Sequence, residues 1–438
     1  MLRRDFLASA LAAQARPRTN VVLIMADDLG YECLSCNGSL SYRTPHLDRL
    51  AAAGIRFTHA YAQPLCTPTR LQLMTGQYNH RNWRAFGVMD PRERTFGHWM
   101  SAAGYRTCIA GKWQMYSYNP ADFEPEWRGK GQLPKDCGFH EYMLWHGFHT
   151  EEKGSRYGDP TYVANGVLNK DVKDGFGDDA SSAFLMDFME RNRDRPFFAY
   201  YPIALTHGPF QPTPRSANWT TARLKNDRAN FKDMVEYMDE VVGRVVKKVE
   251  DLGIADRTLV LFYSDNGTDR TITSRFRDSR GERMFQGGKG LTTDAGTHVP
   301  MIAWWKGVTP AGRVIDDLVD SSDFWPTIAD ATGVPLPKGV PSDGRSFLPQ
   351  IRGQRGAPRD WTFCHYDPRP GHGKEAYTKL VRYARTKRWK LYDDGRLFDV
   401  PADELEHRPV ASGAGGPEAD RARKMLARVL ASLEVIKH

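Results

Sequence analysis

Residues Val21 to Met25 form an unbroken apolar run that soon stops at two acids, Asp27 and Asp28. A short run that is apolar at every position is the pattern of a strand buried on both faces. It predicts a central strand with two carboxylates at its C-terminal end, where ligands gather in open α/β sheets. Similar runs at Phe197–Leu205, Thr258–Tyr263 and Val299–Trp305, and stretches of strand character at Arg56–Tyr61 and Tyr105–Ala110, predict further strands. The run at Thr258–Tyr263 also leads into a polar pair, Asp265-Asn266. Between these runs the period changes. Thr44-Pro45 predicts a capped helix through Leu47, Leu50 and Ala51, ended by Gly54. Helices are expected around Phe96–Ala103, Ala180–Asn192 and Asp323–Ala331. Phe231–Leu252 is the clearest, with Met234, Met238, Val241, Val242, Val245 and Val249 on one face. At that spacing its methionines are core residues. Helices interleaved with buried strands predict an α/β fold whose sheet is mostly parallel and covered on both faces.

Two stretches break the alternation. From Trp113 to Gly177 the chain is rich in Gly, Pro, aromatic and charged residues and reads as long loops with one strand near Tyr142–Trp145. Near residue 353 the texture changes again. Thr362–Tyr366, Lys379–Arg385 and Trp389–Tyr392 alternate like exposed strands, Asp394-Gly395 is a turn signal, and Glu418–Ile436 reads as a terminal amphipathic helix after a break at Gly413–Pro417. The predicted organisation is therefore a large unit over 16–352 and a small antiparallel sheet with one helix over 353–438.

Composition narrows the function. A chain of 438 residues, 40% hydrophobic, can bury a large core. Lys and Arg exceed Asp and Glu by 61 to 53, a net +8 that suits an anionic substrate. The basic residues are scattered, without zinc-finger spacing or aromatic–basic alternation, so nucleic acid is not an expected partner. Six cysteines are too few for a disulfide scaffold in this length, and Cys33-x-x-Cys36 has no second pair to form a zinc site. Residues 1–15 contain Arg3-Arg4-x-Phe6-Leu7 and Ala13-x-Ala15, which resembles a twin-arginine export signal with its cleavage site. No later segment reaches the roughly 20 apolar residues of a transmembrane helix. The expectation is a soluble product, exported folded to the bacterial periplasm, where the sequon Asn218-Trp-Thr220 carries little weight.

Candidate chemistry clusters at the predicted strand ends. Asp27, Asp28, Asp265 and Asn266 are hard oxygen donors, which select calcium or magnesium over zinc and, with an amide among carboxylates, favour calcium. Either pair alone reads equally as a strand-end turn. Cys66-Thr67-Pro68-Thr69-Arg70 suits a nucleophile at a helix start, where Pro is tolerated and negative charge is favoured, although a buried structural cysteine fits the same letters. Lys112 follows Gly111, and Lys289 sits in Gly287-Gly-Lys-Gly290, so the backbone can approach an anion closely at both. The second motif lacks the spacing of a nucleotide phosphate loop. His207, after an apolar run, is either a proton-transfer group or a core histidine. His80 and His298 receive no role.

The pattern Cys-x-Pro-Thr/Ser-Arg resembles the modification motif of the type I sulfatases of the alkaline phosphatase superfamily. Four further blocks match in order: Asn20-Val-Val-Leu-Ile-Met-Ala-Asp-Asp28, Gly104-Tyr-Arg-Thr-Cys-Ile-Ala-Gly-Lys-Trp113, Pro196-Phe-Phe-Ala-Tyr-Tyr201 with Thr206-His207, and Ser264-Asp-Asn-Gly267 with Gly287-Gly-Lys-Gly290. The resemblance runs from about residue 20 to 350, and the remainder matches only in general character. It implies an alkaline-phosphatase-like fold, and a Cys66 oxidised to formylglycine by a maturation enzyme. It also implies a calcium ion held by Asp27, Asp28, Asp265, Asn266 and the modified Cys66. Arg70, Lys112 and Lys289 would balance charge on the sulfate, His207 would serve as general acid at the leaving oxygen, and a sulfated carbohydrate is the implied substrate. One position departs. Where the family reads Gly-Lys-Trp-His, this chain has Gln114, and an amide cannot act as the base that expels sulfate. Phosphonate monoester or phosphodiester hydrolysis, and non-catalytic binding of sulfated glycans, stay open beside sulfate ester hydrolysis.

Overall fold

The run after Asn20 forms strand β1 (Asn20–Ala26) near the middle of a ten-stranded sheet. The computed structural model describes residues 18–117, 125–145, 153–367 and 379–434, so the expected export signal lies outside the described residues. The other strands of this sheet are β2 (Ile55–Tyr61), β3 (Arg106–Lys112), β4 (Glu141–Trp145), β5 (Tyr162–Ala164), β6 (Val167–Asn169), β7 (Phe197–Pro202), β8 (Thr258–Ser264), β11 (Met301–Trp304) and β12 (Arg313–Asp320). Their spatial order is β12-β2-β11-β8-β1-β7-β3-β4-β5-β6. Five neighbours, β8, β1, β7, β3 and β4, run parallel. Strand β11 is antiparallel to both of its neighbours, and β5 turns back along β4, so the sheet is mixed and mostly parallel.

Why β1 is apolar throughout follows from its two faces. Val21, Leu23 and Met25 join one core with the Cys66–Thr75 and Phe324–Thr332 helices. Val22, Ile24 and Ala26 join the other, under the Pro45–Ala53, Gly177–Arg191 and Phe231–Asp251 helices. The 21-residue Phe231–Asp251 helix buries the valine and methionine face that its period marks out. The predicted strand at Phe197–Leu205 ends early, at Pro202, and Ala204 N instead donates to the Asp178 carboxylate at 3.0 Å.

Two expectations change, and one hairpin has no counterpart among the elements expected from sequence. Thr44 precedes the Pro45–Ala53 helix, but its hydroxyl does not cap it; Asp239 accepts from His46 N at 2.9 Å and Leu47 N at 2.7 Å. Between β8 and β11 a charged hairpin, β9 (Thr273–Asp278) and β10 (Gly281–Gln286), stands apart from the main sheet. The C-terminal sheet has four antiparallel strands in chain order, β13 (Thr362–Tyr366), β14 (Val381–Arg385), β15 (Trp389–Tyr392) and β16 (Leu397–Asp399). The exposed strands expected there are largely buried, because the Gly416–Ser432 helix covers one face and the large unit the other. All six cysteines are free thiols. Among the described residues no helix is long and apolar enough to cross a membrane.

Candidate active site

Strands β1 and β8 lie side by side with Ala26 opposite Ser264, so both polar pairs leave the same edge of the sheet. Asp28 turns the chain with φ 60°. Its backbone N donates to Asp265 Oδ1 at 3.1 Å, and its Oδ1 accepts from Asn266 Nδ2 at 2.8 Å. The second amide hydrogen of Asn266 goes to Gly267 O at 2.9 Å, which leaves Asn266 Oδ1 buried without a partner. Gly267 is required here because a Cβ would run into the Ala295 carbonyl oxygen. Strand β7 adds the next piece. Thr206 N donates to Asp27 O at 2.7 Å and Asp27 N to Leu205 O at 3.0 Å, which carries His207 to the same edge.

Cys66 begins a helix buried at every one of its ten residues. The motif around it holds the loop. Gln63 N donates to Thr69 Oγ1 at 2.9 Å, that hydroxyl contacts Leu65 O at 3.1 Å, and Gly87 N donates to Thr67 Oγ1 at 3.2 Å. Cys66 Sγ lies within 4.8 Å of carboxylate oxygens of both Asp27 and Asp265, and those two oxygens are equally close to each other. Burial pushes the thiol above its usual pKa although Lys112 opposes it. The thiol is therefore protonated at neutral pH, and the favourable helix terminus does not ionise it. One turn on, Arg70 places Nε and Nη2 at 3.0 and 2.7 Å from Asp265 Oδ2, with Nη2 3.6 Å from Asp27 Oδ1.

The remaining cations arrive from separate elements. Lys112 ends β3, two strands from β1, and its Nζ lies 2.8 and 3.1 Å from the Asp27 oxygens. Gly111 before it has φ 121°, and a Cβ there would strike the Pro202 carbonyl oxygen of β7. Lys289, after the hairpin, lies 2.6 Å from Asp28 Oδ2. His207 Nε2 lies 3.8 Å from the same oxygen, while Nδ1 contacts Gly208 O at 2.5 Å. Three carboxylates thus face Arg70, Lys112 and Lys289. Burial drives the Asp27 carboxyl up, but Lys112, His207, Arg70 and Lys289 together hold it far below its ordinary value. Burial raises Asp28 against Lys289, and burial with the Asp27 charge pushes Asp265 up to about 7 against Arg70. Burial and the Lys289 charge push the His207 ring well below its usual pKa.

All the site residues expected from sequence meet here. Arg156 was not among them. Its Nη1 lies 4.0 Å from Asp27 Oδ2, and it comes from the long segment where no spacing marks a function. Gln114, two residues past Lys112, is buried. His298 lies elsewhere, stacked on Tyr31 at 4.2 Å between ring centroids in a cavity of about 310 Å³ that contains none of the expected site residues. His80 packs on Tyr78 and Phe363. The small C-terminal sheet walls the thiol, with Cys364, Tyr366, Tyr383, Tyr392 and Phe398 packed on Leu65, Cys66 and Phe86.

The donors fit a hard divalent cation. Three carboxylates and an unsatisfied amide oxygen converge, and a buried carbonyl without a partner is costly unless something binds it. Known proteins share this arrangement of sequence and fold. The sulfatase family model matches residues 19–334. Arylsulfatase A of Homo sapiens is 34% identical, covering 98% of this chain and 90% of the relative. Two crystal structures share the fold. Ps i-CgsB in complex with k-i-k-neocarrahexaose has TM-score 0.75 and 24% identity over 95% of this chain and 92% of its own. The phosphonate monoester hydrolase of Agrobacterium radiobacter has TM-score 0.68 and 22% identity over 95% of each chain. The chain belongs to the sulfatase family, sulfuric ester hydrolases with the alkaline-phosphatase-like fold.

Proposed function

We propose that the protein hydrolyses sulfate esters of a carbohydrate, using a formylglycine made from Cys66 and a calcium ion held by Asp27, Asp28, Asp265 and Asn266. The observation that carries this reading is the meeting of Cys66 Sγ with the Asp27 and Asp265 carboxylates beside the unpartnered Asn266 Oδ1. A thiol is a soft donor among hard ones, and an oxygen at that atom would match the rest of the set. Formylglycine, as its hydrate, would supply both that oxygen and the attacking hydroxyl, and the cation would lower the hydroxyl's pKa and polarise a sulfate oxygen.

The chain's own residues do the rest. Arg70 fixes Asp265 by two hydrogen bonds to one oxygen and favours the charged form of Asp265 and Asp27 against their burial. Lys112 and Lys289 project into the cluster from opposite sides of β1 and would turn to the sulfate oxygens as it binds. Gly208 O, close to Nδ1, favours the tautomer with the proton on that nitrogen. Nε2 is then the atom placed to exchange a proton with the leaving oxygen. Gln114 offers no base for the step that frees sulfate, so release is expected to be slower than with a histidine there. A sulfated saccharide is favoured as substrate by the oligosaccharide bound to Ps i-CgsB, and an exported, periplasmic location belongs to the same reading.

The test is mass spectrometry of the Cys66 peptide after co-expression with a maturation enzyme, paired with sulfate release from defined saccharides and an aryl sulfate. Conversion of the thiol with sulfate release supports the reading. Preference for an aryl phosphonate over an aryl sulfate defeats it in favour of phosphonate hydrolysis. Saccharide binding without release defeats it in favour of a binding protein, as the amide at 114 would allow.

A further inference from the structure

Strand β4 is the next strand beyond β3, and its last residue, Trp145, lies in register with Lys112. The Arg156 guanidinium carbon sits 3.8 Å from the Trp145 ring centroid. Contact with an indole orients a guanidinium without using its N–H donors. The side chain is only 8% exposed, and its buried Nη1 has no hydrogen-bond partner among the described residues.

Arg156 differs from the other cations of the site. Lys112, Lys289 and Arg70 each have a carboxylate oxygen within hydrogen-bond distance, at 2.8, 2.6 and 2.7 Å. The Asp27 oxygen facing Arg156 is 4.0 Å away. Asp178, which shares a small cavity with Arg156, accepts from Ala204 N at Oδ1 and is pushed up to about 7 by burial. The three carboxylates of the cluster are thus each engaged at hydrogen-bond distance by another cation, and Arg156 is the one basic group of this set that is not. A buried guanidinium N–H without an acceptor is costly, and an anion bound beside Nη1 would relieve that cost. Nη1 is also too close to Asp27 to serve a substituent one sugar ring away.

From this position we infer that Arg156 is an oxyanion-binding residue of the site, donating with Lys112 to a non-bridging oxygen of the sulfuryl group during transfer. This rests on the function proposed above and extends it by a residue outside the recognised motifs.

The experiment compares wild type with Arg156→Met, both matured and calcium-loaded. It measures kcat/KM on an aryl sulfate, calorimetric binding of inorganic sulfate, and the melting temperature. The expected result is a fall of about 10²-fold in kcat/KM and a roughly tenfold weaker sulfate affinity. Sulfate affinity within about twofold of wild type in a folded variant overturns the inference, whatever happens to kcat or melting. Should Arg156→Met not fold, Arg156→Gln is read by the same criteria, and free guanidinium is expected to restore part of its loss. The two readings fail separately. If wild type frees no sulfate from any ester but the variants still bind inorganic sulfate more weakly, the reaction falls and the oxyanion site stands. If wild type hydrolyses aryl sulfate and neither variant alters affinity, the site falls and the reaction stands.

Discussion

Asn266 spends both amide hydrogens on the protein and leaves its carbonyl oxygen unsatisfied in a fully buried place. Such an atom is stable only if something outside the chain takes its lone pairs. If that something is the proposed calcium ion, binding is linked to folding, and a site filled at about 100 times its dissociation constant adds about 2.7 kcal/mol. The melting temperature of wild type is expected to rise when calcium replaces a chelator. Asn266→Ala should shrink that rise and shift it to higher calcium concentration, as calorimetric melting across a calcium series would record. An equal rise in both proteins would remove Asn266 from the ligand set.

At the scale of single elements, caps and runs behave differently. The helix after Thr44 is held at its start by Asp239, nearly 200 residues later in the chain. Asp239→Ala removes the acceptor of two buried N–H groups and is expected to cost about 2 kcal/mol, read as a lower urea midpoint at unchanged m-value. The same contrast explains what the sequence made legible. The strands leading to Asp27 and Asp265 were readable because each is buried on both faces, which favours an unbroken apolar run, and the one carrying Lys112 through its buried Cys108–Ala110 stretch. The Asp265-Asn266 and Cys66–Arg70 motifs were readable because their spacing is local. The Asp239 cap, the charged β9–β10 hairpin and β12 were not, since long-range pairing rather than periodicity makes them. Arg156 was invisible for a similar reason. What selects it is a tryptophan at the end of another strand, and no local spacing encodes that.

Across the whole molecule, the small sheet is bound to the large unit by polar as well as apolar contacts. Arg359 pairs with Asp323 and reaches Tyr78 OH at 2.8 Å, while Arg385 pairs with Asp294 and lies 3.9 Å from the Tyr61 ring centroid. At this junction His80 and His365 are buried with Nδ1 unpartnered. Burial, then Arg81 and Arg382 against Asp343, lowers His80 to about 4; burial, then His80 and Arg382, lowers His365 to about 3. In the unfolded chain both titrate near 6.5. The unfolded state therefore binds more protons below that pH, so stability is full above about 6.5 and is lost as pH falls toward 4 and then 3. Between the unfolded and folded pKa each proton contributes a slope of about 1.4 kcal/mol per pH unit. Urea midpoints from pH 7 to 4.5 should fall, and His365→Phe should flatten the fall; an unchanged slope would acquit the junction.

The seat of Cys66 also sets an order of events. Cys66 is 1% exposed, and the groups that enclose it come from positions as distant as Phe398. A second protein can touch that atom only while the polypeptide is still open. If Cys66 is converted as proposed, conversion has to precede closure, and a molecule that has shut with its thiol intact has missed its appointment for as long as it stays folded.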